Sequence, residues 1–68
     1  MGALNEQQVR QELRHEAIRA LGGYLATGLA DFKQKALDRL NVLGVHVAIT
    51  GRDQAETVLR GLREGVIG

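Results

Sequence analysis

The stretch Val45-His46-Val47-Ala48-Ile49-Thr50 decides the predicted fold, because only there do apolar residues alternate with a period of two. Such alternation predicts a β-strand over residues 45–50, with three apolar side chains on one face. A single strand leaves its backbone N–H and C=O groups unpaired, and no second strand is evident in the sequence. We therefore expect strand 45–50 to pair with another chain.

The residues before this strand have helical spacing and predict two helices. The first begins at Asn5, which forms a capping-box pattern with Gln8. Its end is predicted at Gly22-Gly23, since glycine readily adopts the left-handed conformation that closes a helix. Because this connection is short, we expect the two helices to be antiparallel neighbours.

The second helix is predicted to run from about Tyr24 to Leu43, with Gly44 closing it. This assignment places Gly28 inside the helix, where glycine costs about 1 kcal/mol relative to alanine. A start at Asp31, which has a capping-box spacing with a glutamine three residues later, is the alternative.

A third helix follows the strand. Asp53 and Glu56 have the spacing of a capping box at its N-terminus, and Gly65 is predicted to end it. The order helix, helix, strand, helix predicts a mostly helical α+β fold in a single small domain over residues 1–68.

Composition narrows the possible functions. A chain of 68 residues is short for an independent domain, and such domains are usually stabilised by disulfides, a metal or oligomerisation. The sequence has no cysteine, and its two histidines, His15 and His46, lie in different predicted elements and make a poor metal site. Oligomerisation is the remaining means of stabilisation. The net charge of +1, with both signs interspersed, does not select nucleic acid or a membrane as partner.

We predict that the chain is not an enzyme and binds no cofactor. It lacks serine and cysteine nucleophiles, and neither histidine belongs to a recognisable set of convergent catalytic groups. Its apolar runs are shorter than the roughly 20 residues of a membrane span. Residues 1–8 do not resemble a signal peptide, so we expect a cytoplasmic protein.

One alternative function is anion or nucleotide binding at the turn Thr50-Gly51-Arg52-Asp53. A helix N-terminus with Gly51 and Arg52 could hold a phosphate, although the Asp53 carboxylate opposes a bound anion. Residues 44–53 resemble the second strand and following turn of short-chain dehydrogenases, which implies that Arg52 would meet the 2′-phosphate of NADP. The glycine-rich turn and Tyr-x-x-x-Lys pair of that family are absent, so the resemblance implies local geometry alone.

A second alternative is a small dimeric DNA-binding regulator. Basic side chains such as Arg10 and Arg14 share a face of the first helix, and Lys35 and Arg39 lie on the second. Acidic residues are interleaved with them, which is typical of a solvated surface.

We favour a non-enzymatic protein–protein interaction or assembly module that is homodimeric through strand 45–50. Its predicted interface consists of Val45, His46, Val47, Ala48, Ile49 and Thr50. Val45, Val47 and Ile49 would hold the strand on the helices. His46, Ala48 and Thr50 would face solvent or the partner.

Overall fold

Three α-helices form the part of the chain that the computed structural model describes, residues 5–67. α1 spans Glu6–Thr27, α2 spans Ala30–Val42 and α3 spans Arg52–Arg63. α1 packs against both α2 and α3 and is therefore the central helix. The predicted α+β fold is wrong, because no strand forms within residues 5–67 and the architecture is a small helical bundle.

The segment 45–50 accounts for this difference. Its side chains alternate as predicted: Ile49 is buried and Val45 and Val47 pack half-buried against the core, while the other three are exposed. A strand also requires backbone hydrogen bonds to a neighbouring strand. Among the described residues, none joins residues 46–50 to another segment. The alternation therefore reports which side chains are buried and does not report pairing.

α1 continues through Gly22-Gly23, where it was predicted to end. It closes instead at Gly28 (φ +76°), whose N–H donates to a carbonyl of the last turn at 2.7 Å. The residues from Tyr24 onward, predicted to begin the second helix, are the last turn of α1. A Cβ built on Gly23 would lie 2.7 Å from the Phe32 ring. This glycine therefore permits close packing of α2 and does not form a turn.

The starts of α2 and α3 differ from the predicted capping boxes. α2 begins at Ala30, one residue before the alternative start at Asp31. α3 begins at Arg52 with Gly51 at its N-cap, so Asp53 lies in the first turn and does not cap the helix. Within the described chain, neither N-cap residue, Leu29 or Gly51, caps its helix with a hydrogen bond from its own side chain.

The ends of α2 and α3 are confirmed and share one geometry. Gly44 (φ +83°) and Gly65 (φ +76°) both adopt the left-handed conformation after the last helical turn. In each case the next residue donates its N–H back to the helix, in the pattern of a Schellman motif. The bonds run from Val45 to the Leu40 carbonyl at 2.8 Å and from Val66 to the Gly61 carbonyl at 2.9 Å.

α1 and α2 are antiparallel, as predicted. Near one end of the pair, Arg10 Nη2 donates to the Leu43 carbonyl at 3.3 Å. Near the other end, the Phe32 ring lies against the backbone of Gly23. The Arg10 side chain thereby supplies a donor to the C-terminal end of α2, where helix carbonyls lack partners.

α3 also runs antiparallel to α1, since residues 62–65 lie beside residues 14–18 and the middle of α3 adjoins Leu25. α2 therefore ends and α3 begins at opposite ends of the bundle. The connection at residues 44–51 must span about 20 Å, the length of a 13-residue helix. Eight residues would span only about 12 Å as a helix and at most about 26–29 Å when fully extended, so this connection is more extended than a helix.

The core lies where α1 meets the two flanking helices and segment 45–50. Leu21 and Leu40 have no exposed surface, and small side chains beside them let the helix backbones approach closely. The buried apolar residues are Ala17, Ala20, Leu21, Tyr24, Ala36, Leu40, Leu43, Ile49, Ala55, Val58, Leu59 and Leu62. Across the described residues, we find no helix with the length and apolarity that a bilayer crossing requires.

The capping box at the start of α1 is confirmed. Asn5 Oδ1 accepts a hydrogen bond from the Gln8 N–H at 2.8 Å, and Gln8 Oε1 accepts one from the Asn5 N–H at 3.4 Å. Residues 5–12 are exposed, so this turn extends beyond the core. The cap therefore stabilises an end of α1 that tertiary packing does not cover.

We expect Asn5→Ala to fray the first turn of α1 without unfolding the protein. Loss of an N-cap side chain costs about 1 kcal/mol, which corresponds to about fivefold faster amide exchange near the cap. Hydrogen exchange should accelerate at Gln8 and Val9, while exchange at Leu21 and the free energy of unfolding change little. Equal acceleration at Leu21 would show that the cap stabilises the whole bundle.

Candidate functional site

The six residues of the predicted interface divide between the core and the surface. Ile49 is 4% exposed, and Val45 and Val47 pack against the core, so these three side chains hold the segment on the helices. Ile49 is therefore covered by the core, whereas Val45 and Val47 keep part of their surface exposed. The exposed members are His46, Ala48 and Thr50.

The backbone of the segment has few partners. The Val45 N–H donates to the Leu40 carbonyl at the end of α2, but residues 46–50 make no backbone hydrogen bond within the described chain. The His46 ring is tied to α2, because its Nδ1 lies 3.1 Å from Asn41 Oδ1. An extended backbone with free N–H and C=O groups is the kind of edge to which another strand adds.

A shallow groove of about 400 Å³ runs beside this backbone and separates it from α3. The Thr57 hydroxyl in the groove donates to the Asp53 carbonyl at 3.0 Å and is already satisfied. The groove provides space along one side of the segment. Its lining residues are Val47, Ala48, Asp53, Gln54, Thr57 and Val58.

The predicted anion site, Gly51 and Arg52, lies at the N-terminus of α3. Asp53 lies in the first turn and places a carboxylate near the same backbone N–H groups, which opposes a second anion. The segment before this turn forms no strand in the described chain. The resemblance to short-chain dehydrogenases therefore does not extend to the backbone structure.

A second surface, which we call the α1–α2 cleft, was not predicted. This cleft has a volume of about 310 Å³ and is lined by residues of both helices. Three of its side chains are cationic and one is acidic. The residues are Glu16, Arg19, Ala20, Phe32, Lys35 and Arg39.

Of the four charged side chains that line the α1–α2 cleft, two form an ion pair with each other and two do not. Arg39 Nε lies 2.5 Å from Glu16 Oε1, with the two side chains 36% and 46% exposed. An ion pair this exposed contributes little to stability, but it orients the guanidinium. Within residues 5–67, Arg19 and Lys35 form no ion pair.

The basic residues of the DNA-binding alternative lie on two surfaces. Arg10 and Arg14 share one face of α1, as predicted, where they line a small pocket of about 190 Å³ with Gln7 and Gln11. Lys35 and Arg39 line the α1–α2 cleft. A groove-binding helix would concentrate this positive charge on one surface.

The two histidines lie in different surroundings. His15 lies beside the C-terminal end of α3, and His46 contacts the end of α2. Among the described residues, no three histidine, aspartate or glutamate side chains converge as a metal site would require.

Comparison with known proteins assigns no function, so the surfaces described above are the basis for proposing one. No family model matches the chain, no curated protein matches it in sequence, and no solved structure matches its fold. The two surfaces with distinctive geometry are the free backbone edge at residues 46–50 and the α1–α2 cleft.

Proposed function

We propose that this protein is a non-enzymatic interaction module that forms a homodimer by antiparallel pairing of residues 46–50 in two copies. The observation that supports this is the edge itself: its inward side chains are held on the core while its backbone groups have no partner in the described chain. A second copy would satisfy those N–H and C=O groups. We expect the dimer to act in the cytoplasm.

A two-fold axis at Ala48 suits this pairing. Ala48 would oppose itself, and His46 would oppose Thr50 of the second copy. All three side chains are exposed and point away from the core, so pairing does not require repacking. In such a pair the side chains project from the faces of the ribbon, so they leave the two backbones free to reach the usual strand separation of about 4.8 Å.

The groove beside the segment supports the same arrangement. It lies between residues 47–48 and the first two turns of α3 and leaves space next to the backbone. Pairing would also bury more apolar surface for a chain whose length limits its own core.

Sedimentation equilibrium of the wild type, Ala48→Asp and Ala48→Ser tests the proposal. The wild type should be dimeric at micromolar concentration. Ala48→Asp places two carboxylates opposite each other at the axis, so we expect the dimer dissociation constant to rise about tenfold or more. Ala48→Ser, a neutral change of similar size, is the matched control and should stay close to the wild type.

Circular dichroism should show the same helix content for all three proteins, because Ala48 is exposed. A wild type that stays monomeric at millimolar concentration would overturn the proposal. So would a dimer that both substitutions leave unchanged, since its interface would then lie elsewhere.

A further inference from the structure

We propose that the α1–α2 cleft binds a nucleotide-like ligand, in which a phosphate is joined to a flat ring. The proposal rests on the cations at the cleft, on the aromatic ring that lines it and on its size. It concerns a different face from the proposed dimer and stands independently of it.

The charges favour an anion. The cleft has three cationic side chains and one acidic one, whereas the whole chain carries a net charge of +1. Glu16 is engaged by Arg39, which leaves Arg19 and Lys35 without an ion pair in the described structure. A phosphate bound in the cleft would give both cations a partner, and the guanidinium fork of arginine matches phosphate oxygens.

The Phe32 ring at the cleft packs against the backbone of α1. Phe32 is the only phenylalanine in the chain and is half-buried. Its ring lies so close to α1 that a Cβ at Gly23 would be 2.7 and 2.8 Å from two ring atoms. Phe32 also lines the cleft, as does Ala20. Aromatic surfaces of this kind stack with nucleobases without selecting one base.

The size of the cleft limits the ligand. A volume of about 310 Å³ lies at the lower end of the range for small-molecule pockets, about 300–1,000 Å³. One ring system and one phosphate fit this space better than a dinucleotide does. A free mononucleotide and a nucleotide within a single strand share this chemistry.

Titration of the ¹⁵N-labelled full chain with AMP tests the site. We expect saturable amide shifts at Arg19, Ala20 and Lys35. Lys35→Gln should raise the dissociation constant about tenfold through loss of one charge-assisted contact. Arg63→Gln, which removes the same charge from α3, is the control and should leave the constant within about twofold, a change too small to represent a lost contact.

Ligand variation tests the ring contact without altering the protein. Ribose 5-phosphate keeps the phosphate and lacks the base, so we expect it to bind about tenfold more weakly than AMP, in line with the loss of one stacked base. Titration with a single-stranded adenylate oligomer distinguishes the two sources of this ligand, a free mononucleotide and a nucleotide within a strand. Shifts confined to the cleft assign the ligand to a free nucleotide, and additional shifts along α2 assign it to a strand.

Three results would overturn the proposal: no saturable shifts at the cleft with millimolar AMP, equal affinity for AMP and ribose 5-phosphate, or equal weakening by Lys35→Gln and Arg63→Gln. None of these results bears on the dimer, which sedimentation measures without a ligand.

Discussion

Leu21→Ala is expected to leave much of the protein unfolded at room temperature. Leu21 is completely buried on α1, the helix that packs against both others. Truncation of a buried leucine to alanine costs about 2–5 kcal/mol. A domain of this size rarely gains more than about 3–5 kcal/mol from its core, so the loss is comparable to the total stability.

Urea denaturation followed by far-UV circular dichroism measures this loss. Leu29→Ala is the matched control, because it is the same chemical change at a residue that is 56% exposed. We expect the control to shift the free energy of unfolding by less than about 0.5 kcal/mol. The two variants must be compared at one protein concentration, since self-association would add to stability. Equal effects of the two substitutions would contradict the packing described for α1.

Alanine at the adjacent glycines of α1 is expected to change stability with opposite signs. No described side chain lies within 4 Å of a Cβ at Gly22, so Gly22→Ala should gain about 1 kcal/mol from helix propensity. At Gly23, the new Cβ would meet three atoms of the Phe32 ring, including Cγ at 3.1 Å. Because Cγ is at the base of the ring, rotation of the ring tip does not relieve this overlap. Overpacking costs about 1–3 kcal/mol and should outweigh the gain in propensity.

A double-mutant cycle separates the two contributions at Gly23. In a Phe32→Ala background the obstructing ring is gone, so Gly23→Ala should become stabilising, as Gly22→Ala is. Free energies of unfolding for the single and double variants provide the comparison. If both glycine substitutions stabilise the wild type equally, the ring does not pack against Gly23 as described.

The ends of the helices could be predicted only where the local sequence determines them. Gly44 and Gly65 each follow a helix directly and adopt the left-handed conformation, as predicted. At Gly22-Gly23 the same residue type led to a wrong helix end. Glycine is needed at position 23 because an aromatic ring of a different helix packs against the backbone there. Spacing along the chain does not contain that information.

The error at residues 45–50 has a related cause. Alternation of apolar and polar side chains predicted which residues face the core, and the structure agrees. A strand also depends on a neighbouring backbone, which a pattern within one segment cannot specify. The extended chain arises here because the connection must cross the bundle from the end of α2 to the start of α3.

The α1–α2 cleft was missed because the helix connection was misplaced. A turn at Gly22-Gly23 would have put Leu29 opposite Glu16 in an antiparallel pair. With the turn at Gly28, Arg39 lies opposite Glu16, and the two form an ion pair. The cationic residues were visible in the sequence, but their grouping depends on this register. At α3, the predicted cap failed because the helix begins one residue before Asp53.

The central position of α1 sets an order of assembly. Contacts of α1 with α2 close a short loop around Gly28, whereas contacts with α3 join residues as distant in sequence as Arg14 and Gly65. Because closing a longer loop costs more chain entropy, we expect the α1–α2 hairpin to form first and α3 to dock onto it. Opening would follow the reverse order. Undocking of α3 would remove one wall of the groove beside residues 46–50 and would leave the α1–α2 cleft intact.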